Sequence, residues 1–195
     1  HLRDFGIGAH QKVDDSPYGG GAGMVILPQV ADAAITVAKE QMPEAEFVHL
    51  SPRGEVLTQP IVRELVARPL ILFCGRYEAI DERVLEKHAP REISLGDFIL
   101  TGGDVAAMVI IEGCVRLLPG VVGKEESLGE ESFGDGAYAN LLEYPHYTKP
   151  AVWEGHEIPP VLTSGHHAEV AKWRLQKAQE ITRTRRPDLW EKHKK

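Results

Sequence analysis

Short apolar runs alternate with longer amphipathic segments along the first 118 positions of the chain. A segment that begins at Pro28 places its apolar residues on one helical face, and a second has Thr58 as a candidate N-cap and Pro60 in its first turn. The predicted helices are 28–41, 58–67, 80–88 and 104–117, and the predicted strands are 46–50, 69–74 and 98–100. Alternating strands and helices predict an α/β fold with a parallel sheet. The last of these helices is apolar on most faces, so we expect it to be buried.

The pattern changes after residue 118. Segment 119–148 has five glycines, six acidic residues and no sustained period, which indicates a linker or a lid. Two helices should follow, one over 164–182 and one that starts at Pro187. We expect Trp173 and Trp190 to pack between these helices rather than to stack on bases. The predicted divisions are a domain over 1–118, a flexible linker over 119–148 and a small helical domain over 149–195.

Composition narrows the class of protein. Of the 195 residues, 43% are apolar, which is ample for a core. Cys74 and Cys114 lie far apart in apolar runs and fit no metal or redox spacing, so we expect buried, reduced thiols. No apolar run approaches the roughly 20 residues of a membrane span and no signal peptide is visible, so we expect a cytoplasmic protein.

The charge of the chain is unevenly distributed. The net charge is −7, yet residues 166–195 carry nine Lys or Arg and four acids, a balance of +5. A basic end on an acidic body is expected where only one part of a protein contacts phosphates. A solvated helical tail would show the same charges, and charge alone does not separate the two interpretations.

Two glycine-bearing loops carry the strongest functional signal. The first, 75–83, follows the predicted buried strand 69–74, and the second covers 94–104. Open α/β sheets bind ligands where strands end in such loops, since glycine lets the backbone approach a ligand closely. Two polar loops so close in sequence predict one composite pocket for a small molecule.

The same loops carry a family resemblance. GRYEAIDER (75–83) and SLGDFILTGGD (94–104) resemble the signature of the bacterial tRNA (guanine-37-N1)-methyltransferases of the SPOUT superfamily. Further segments match in the same order: VDDSPYGGGAGM at 13–24, LSPRG at 50–54, RLLPGVVG at 116–123, PHYTKP at 145–150 and PPVLTSGHHAEVAKWR at 159–174. Members of that family open with a strand and a helix ahead of the position of His1, so we expect this chain to lack them.

The resemblance implies a fold and a cofactor. The first domain would be a SPOUT-type parallel sheet with a deep trefoil knot, which gathers three loops into one pocket for S-adenosylmethionine. Taken alone, the glycines in these loops would indicate only ordinary turns. The cofactor-binding residues implied by the family are Leu50, Ser51, Pro52, Gly75, Tyr77, Ser94, Leu95, Gly96, Asp97, Phe98, Ile99, Leu100, Gly102 and Gly103.

Methylation of guanine N1 requires a base and a cation. N1 carries a proton that must be removed, and the resulting negative charge spreads to O6, where a donor stabilises it. By resemblance, Arg116 acts at O6, although an Arg at a helix end also suits the helix dipole. The family places its general base in an Asp-Ser-Phe motif, and the matching residue here is Glu131, with Asp135 as the nearby competitor. The linker acids could alternatively serve only solubility.

The resemblance also implies partners. The substrate would be tRNA with guanine at position 37, the protein a homodimer, and the reaction dependent on Mg2+. The sequence shows no metal-ligating cluster, and adjacent His166 and His167 point different ways on a helix. The residues implied or expected to contact the substrate are Asp14, Asp15, Gly21, Gly23, Glu78, Arg183, Arg185 and Arg186.

Two other functions stay open on the sequence alone. A SPOUT methyltransferase for another RNA position would share the cofactor loops, although the matches at 145–150 and 159–174 favour guanine 37. A non-catalytic RNA-binding module is the second alternative. A Rossmann-type enzyme is disfavoured because no Gly-x-Gly-x-x-Gly follows a strand with an acid about twenty residues further on.

Overall fold

A computed structural model describes residues 1–76, 79–122 and 127–195. It separates into two compact units, His1–Val121 and Val122–Lys195. In the first unit strands and helices alternate, as the apolar pattern predicts. Its strands are β1 (Asp14–Asp15), β2 (Val25–Ile26), β3 (Glu46–Val56), β4 (Leu70–Phe73), β5 (Ala79–Ile80) and β6 (Arg91–Ser94). Its helices are α1 (Pro28–Gln41), α2 (Gln59–Leu65), α3 (Glu82–His88) and α4 (Gly103–Val115).

The central sheet of the first unit has the order β4-β3-β6, and both pairings are parallel. On one face of the sheet, Phe47 and Phe73 join a core with Ile35 of α1 and Leu85 of α3. On the other face, Val48 and Ile93 pack with residues of α2 and α4. The predicted α/β class with a parallel sheet is therefore confirmed. A second sheet, β1-β2-β5, pairs β2 with β5 in parallel.

The prediction for segment 98–100 is wrong. The strand lies earlier, at β6, where Ile93 pairs with Leu50 and is almost fully buried. Phe98, Ile99 and Leu100 are instead 55%, 79% and 39% exposed. The apolar run 98–100 was misleading because β6 contains a single apolar residue, Ile93, and carries little hydrophobic signal.

Helix α4 is only half buried within this chain. Ala106 and Ile110 face the core, whereas Val105, Met108, Val109 and Ile111 are exposed by 46% to 67%. The expectation that this helix is buried therefore fails for one of its faces, which we call the α4 apolar face and define by those four residues.

The second unit is a helical cluster with a small hairpin. Its elements are α5 (Ser127–Glu130), β7 (Val152–Trp153), β8 (His156–Glu157), α6 (His167–Arg185), α7 (Pro187–His193) and short 3-10 turns at Gly136–Tyr138 and Pro160–Thr163. The sequence predicts a linker over 119–148, whereas Leu141 and Tyr144 of that segment are buried in a core with Ala178 of α6. Trp190 packs against this core, and the Trp173 ring lies 6.3 Å from that of Tyr147.

Candidate functional site

Three loops of the first unit leave the sheet at one edge. Strands β4, β3 and β6 are parallel and in register, with His49 opposite both Phe73 and Glu92. The segments at this edge are therefore side by side, and in the strand order β4, β3 and β6 they are 74–76 (the first), 50–54 (the second, within β3) and 94–102 (the third). These are the segments that the sequence predicts for cofactor binding, and we call them the three loops.

The first and third of the three loops contact each other directly. The Gly103 amide donates a hydrogen bond to the Gly75 carbonyl at 2.8 Å, and Arg76 and Gly102 form an isolated bridge. A Cβ at Gly103 would lie 2.9 Å from the Cys74 Cα. Only glycine lets α4 start this close to the end of β4.

The second of the three loops is tied to β6. Residues 51–54 form a bulge in β3, because Leu50 and Glu55 both pair with Ile93. The buried Ser51 hydroxyl accepts a hydrogen bond from the Arg53 amide at 3.2 Å. At the end of β6 the Leu57 amide donates to the Ser94 carbonyl at 2.7 Å. The bulge therefore turns the 50–54 backbone toward the same edge.

The loop after β6 makes a tight turn. The Ser94 hydroxyl accepts from the Gly96 amide at 3.2 Å, and the Phe98 amide donates to the Gly96 carbonyl at 2.9 Å. Gly96 has a φ of +142°, and a Cβ there would lie 3.0 Å from the Phe98 ring. Leu95 is half-buried beside it, whereas Asp97 and Pro52 are exposed. Such a turn presents backbone groups rather than side chains to a ligand.

Strand β1, which consists of Asp14 and Asp15, and the loop after it are connected through the second sheet to the first of the three loops. Segment 16–24 joins β1 to β2, and β2 pairs with β5, which follows the first of the three loops. Asp15 accepts a hydrogen bond from Lys12 Nζ at 2.8 Å, which lowers the pKa of its carboxyl. Asp14 is half-buried, and Gly21 and Gly23 are exposed. Tyr77 and Glu78, both predicted for this site, lie outside the described residues.

His49 is a residue of this region that the sequence analysis missed. It is 9% exposed on β3, just before the bulge at 51–54, and its Nδ1 has no hydrogen-bond partner in the described part of the chain. Burial lowers its pKa, while the nearby Glu92 carboxylate acts in the opposite direction. Glu92 also carries a buried oxygen without a partner there, Oε2. A single His in an apolar strand gives no sequence signal that it will lie opposite Glu92 on β6.

A cavity of about 430 Å³ lies along β4, between α1 and residues 1–5. Its lining includes Phe73 and Cys74 but none of the residues predicted to bind the cofactor. Cys114 is buried as expected, Cys74 is half-buried, and both thiols are free. Burial raises the pKa of both thiols.

The two predicted catalytic residues belong to different units. Arg116 ends α4 in the first unit and is half-buried. Glu131 is half-buried directly after α5 in the second unit, and its carbonyl accepts a hydrogen bond from the Gly134 amide at 2.9 Å. Asp135 is exposed in the same segment.

The basic residues near the end of the chain are exposed. Arg183 and Arg185 occupy the last turn of α6, and neither has an ion pair among the residues that the structure describes. Arg186 instead makes a bidentate pair with Asp188, at 2.8 and 2.6 Å. The tail therefore presents two unneutralised guanidinium groups and one that is already paired.

The described residues contain neither a metal-binding cluster nor a membrane-spanning helix. Across residues 1–76, 79–122 and 127–195, no three His, Cys, Asp or Glu side chains are grouped to hold a metal ion. None of the helices in those ranges is both long and apolar enough to span a membrane.

The two units together indicate a protein that binds a small ligand and also contacts a negatively charged partner. The first unit is an α/β domain whose parallel strands end in closely packed glycine loops, the arrangement that binds a small ligand at a sheet edge. The second is a helical unit with a basic end. Both agree with a comparison against family models, in which tRNA (guanine-1)-methyltransferase TrmD matches residues 1–192. The chain belongs to this family, and the resemblance drawn from its motifs is confirmed.

Individual relatives agree with the family. A protein of Rhodospirillum rubrum is 55% identical over 98% of this chain and 78% of its own length. Proteins of Ruegeria pomeroyi and Gloeothece citriformis are 51% and 50% identical, over 98% and 97% of this chain and 78% and 81% of their own lengths. All three are named tRNA (guanine-N(1)-)-methyltransferase. The expected enzyme class, a methyltransferase, is thereby confirmed.

Proposed function

We propose that this protein transfers the methyl group of S-adenosylmethionine to N1 of guanine 37 in tRNA. The observation that carries the proposal is the family match over residues 1–192, on a first unit whose three loops meet at one sheet edge. Loops that are dispersed in sequence but joined by hydrogen bonds can enclose one ligand.

The three loops fit the cofactor in one testable respect. Gly103 and Gly96 stand where a Cβ would meet the Cys74 backbone or the Phe98 ring. Backbone so closely packed and rich in glycine can hold an adenine, a ribose and an amino-acid group through its amides and carbonyls. When bound, S-adenosylmethionine supplies a methyl group activated by its sulfonium.

The chain's own residues would then act on the guanine. Glu131 would accept the N1 proton, and Arg116 would donate hydrogen bonds to O6 as negative charge develops there. Asp14, Asp15 and Glu78 would line the position of the base. Arg183 and Arg185 would contact phosphates of the tRNA, which their exposure supports.

The proposal extends to the fold of the first unit and to the oligomeric state of the protein. We propose the SPOUT-type deep trefoil knot for the first unit, and a homodimer in which a second copy covers the α4 apolar face. Exposed apolar residues grouped on one helix are typical of such an interface. We further propose a cytoplasmic location, where tRNA is available, and a reaction that chelation of Mg2+ suppresses.

A methyl-transfer assay tests the proposal. The protein is incubated with labelled S-adenosylmethionine and an unmodified tRNA transcript, and the nucleosides of the product are separated. We expect 1-methylguanosine with the normal transcript and none when guanine 37 is replaced by adenine. Label on another nucleoside would instead indicate a different RNA position, and no label at all would contradict the enzymatic role.

A further inference from the structure

Glu131 lies between two residues whose side chains are fixed. The Glu130 carboxylate accepts hydrogen bonds from the Tyr144 hydroxyl at 3.0 Å and from Arg174 Nη1 at 3.3 Å. On the other side, the Ser132 hydroxyl accepts from the Glu143 amide at 2.9 Å. The backbone of Glu131 is therefore held from both directions.

The segment that holds Glu131 is itself attached to α6. The Arg174 guanidinium lies 4.9 Å from the centre of the Tyr144 ring, over its face. Eight residues further along α6, the fully buried Thr182 hydroxyl accepts from the Leu142 amide at 2.7 Å. Residues 130–144 thus form a compact segment that contacts α6 at Arg174 and again at Thr182.

The contacts of Glu130 give its carboxylate a structural part beside Glu131. The Glu130 Oε2 atom accepts from both a cation and a hydroxyl, and Arg174 offsets its charge. Burial, and then the hydrogen bond to Glu130, raise the pKa of Tyr144 to about 12 although Arg174 acts in the opposite direction, so the phenol stays a donor. This arrangement commits Glu130 to structure at neutral pH.

We propose that Glu130, Tyr144 and Arg174 are positioning residues that orient the Glu131 carboxylate toward the guanine N1 proton. The inference rests on the proposed function, in which Glu131 is the base. None of the three needs to touch the substrate. Because α6 also carries Arg183 and Arg185, the same helix would orient the base and contact the RNA.

Tyr144→Phe tests the proposal with a minimal change. It removes one donor to Glu130 and keeps the buried ring, so we expect an unchanged melting temperature and an unchanged KM for tRNA. The single-turnover rate should fall about 10- to 100-fold, because a misplacement of about 1 Å can cost about 100-fold. Raising the pH should recover part of the loss, since guanine then loses its N1 proton more readily. Tyr138→Phe is the matched control, because Tyr138 packs beside Tyr144 and, among the described residues, the tyrosine hydroxyl that donates to Glu130 is that of Tyr144.

A double variant separates positioning from other roles. If Tyr144 acts through Glu131, adding Tyr144→Phe to Glu131→Gln should lower the rate no further. An undiminished additional loss, or a wild-type rate for Tyr144→Phe alone, would overturn the proposal. Arg174→Met repeats the test by removing the other donor to Glu130. Arg174→Lys is its conservative variant, and we expect it to recover part of the rate. A wild-type rate for Glu131→Gln would show that the assigned base is wrong, and no transfer by the wild type would show that the proposed function is wrong.

Discussion

Glu131 is the proposed base, in the position where the resemblance implies the Asp of an Asp-Ser-Phe motif. Its side chain carries the same carboxylate one methylene further from a backbone that is held by a turn. Glu131→Gln keeps the shape and removes the base, so we expect methyl transfer to fall roughly 10²- to 10⁴-fold with cofactor affinity unchanged. Single-turnover rates and calorimetry measure the two quantities. Glu131→Asp should retain substantial activity.

Asp135→Asn is the control for that assignment. Asp135 is exposed in the same segment, and we expect its amide variant to keep most of the rate. Loss of activity in Asp135→Asn with a fully active Glu131→Gln would move the role of base to Asp135. Full activity in both variants would direct attention to Asp14, Asp15 and Glu78.

His49 gives the first unit a pH-dependent stability. Its pKa in the folded protein lies below 6.5, because burial disfavours the charged ring more than Glu92 favours it. The unfolded chain therefore takes up a proton that the folded chain resists, and stability is lost as the pH falls below about 6.5. Arg53 and Glu82 also face the ring and partly offset each other. In urea titrations, we expect the free energy of unfolding of His49→Gln to fall less between pH 7 and pH 5 than that of the wild type. An identical fall in both proteins would contradict this.

At the scale of the elements, the start of α4 depends on a close approach. A Cβ in Gly103→Ala would push α4 away from Cys74 and break the Gly103–Gly75 hydrogen bond. We expect at least about a tenfold loss of S-adenosylmethionine affinity by calorimetry, since each 1.4 kcal/mol is tenfold. Gly96→Ala should act similarly, because its φ of +142° strains any side chain.

Gly113→Ala is the matched control in the same helix. Its Cβ would meet only the Val62 side chain, at 3.3 Å, and Ala is favoured over Gly in a helix by about 1 kcal/mol. We expect unchanged cofactor affinity and equal or higher stability. If Gly113→Ala weakens binding as much as Gly103→Ala does, then the effect belongs to α4 as a whole and not to its contact with the loop.

Much of this element pattern could be predicted from the sequence, and the failures have physical causes. Helix α1 and the parallel sheet follow from apolar periodicity. Strand β6 was missed because its neighbours in the sheet, not its own composition, bury Ile93. Glu130 contacts Tyr144, which is 14 residues away in sequence, and Arg174, which is 44 residues away, and local sequence patterns do not predict contacts over such separations. The cofactor residues themselves were reached only through the family resemblance.

At the scale of the whole molecule, the basic tail sets how the enzyme would bind tRNA. Arg183 and Arg185 are exposed, whereas Arg186 is neutralised by Asp188, whose pKa is lowered to about 2. Each phosphate contact contributes roughly one unit to the slope of log affinity against log salt. We expect Arg183→Gln with Arg185→Gln to flatten that slope by about two units, and Arg186→Gln to change it less. Equal slopes in all variants would mean that the tail is only solvated.

The cut that separates the two units should fall near Val122 and not at residue 149. Removing 149–195 would take Ala178 away from Leu141 and Tyr144 and expose their core. Point substitutions on α6 therefore test RNA binding more cleanly than truncation does. The same packing couples the segment of Glu131 to α6 within the second unit.

The proposed homodimer would decide whether one chain alone can complete a site. Glu131 and Arg116 belong to different units, and the α4 apolar face leaves a surface for a second copy. If the two residues act from different subunits, mixing inactive Glu131→Gln with inactive Arg116→Gln should restore activity, because a mixed dimer then carries one intact site. Co-expression with two affinity tags isolates the mixed species for the methyl-transfer assay. A Met108→Glu variant, which places a charge on the α4 apolar face, should be monomeric by sedimentation and inactive. Full activity from a monomer, or inactive mixed dimers, would contradict the shared site.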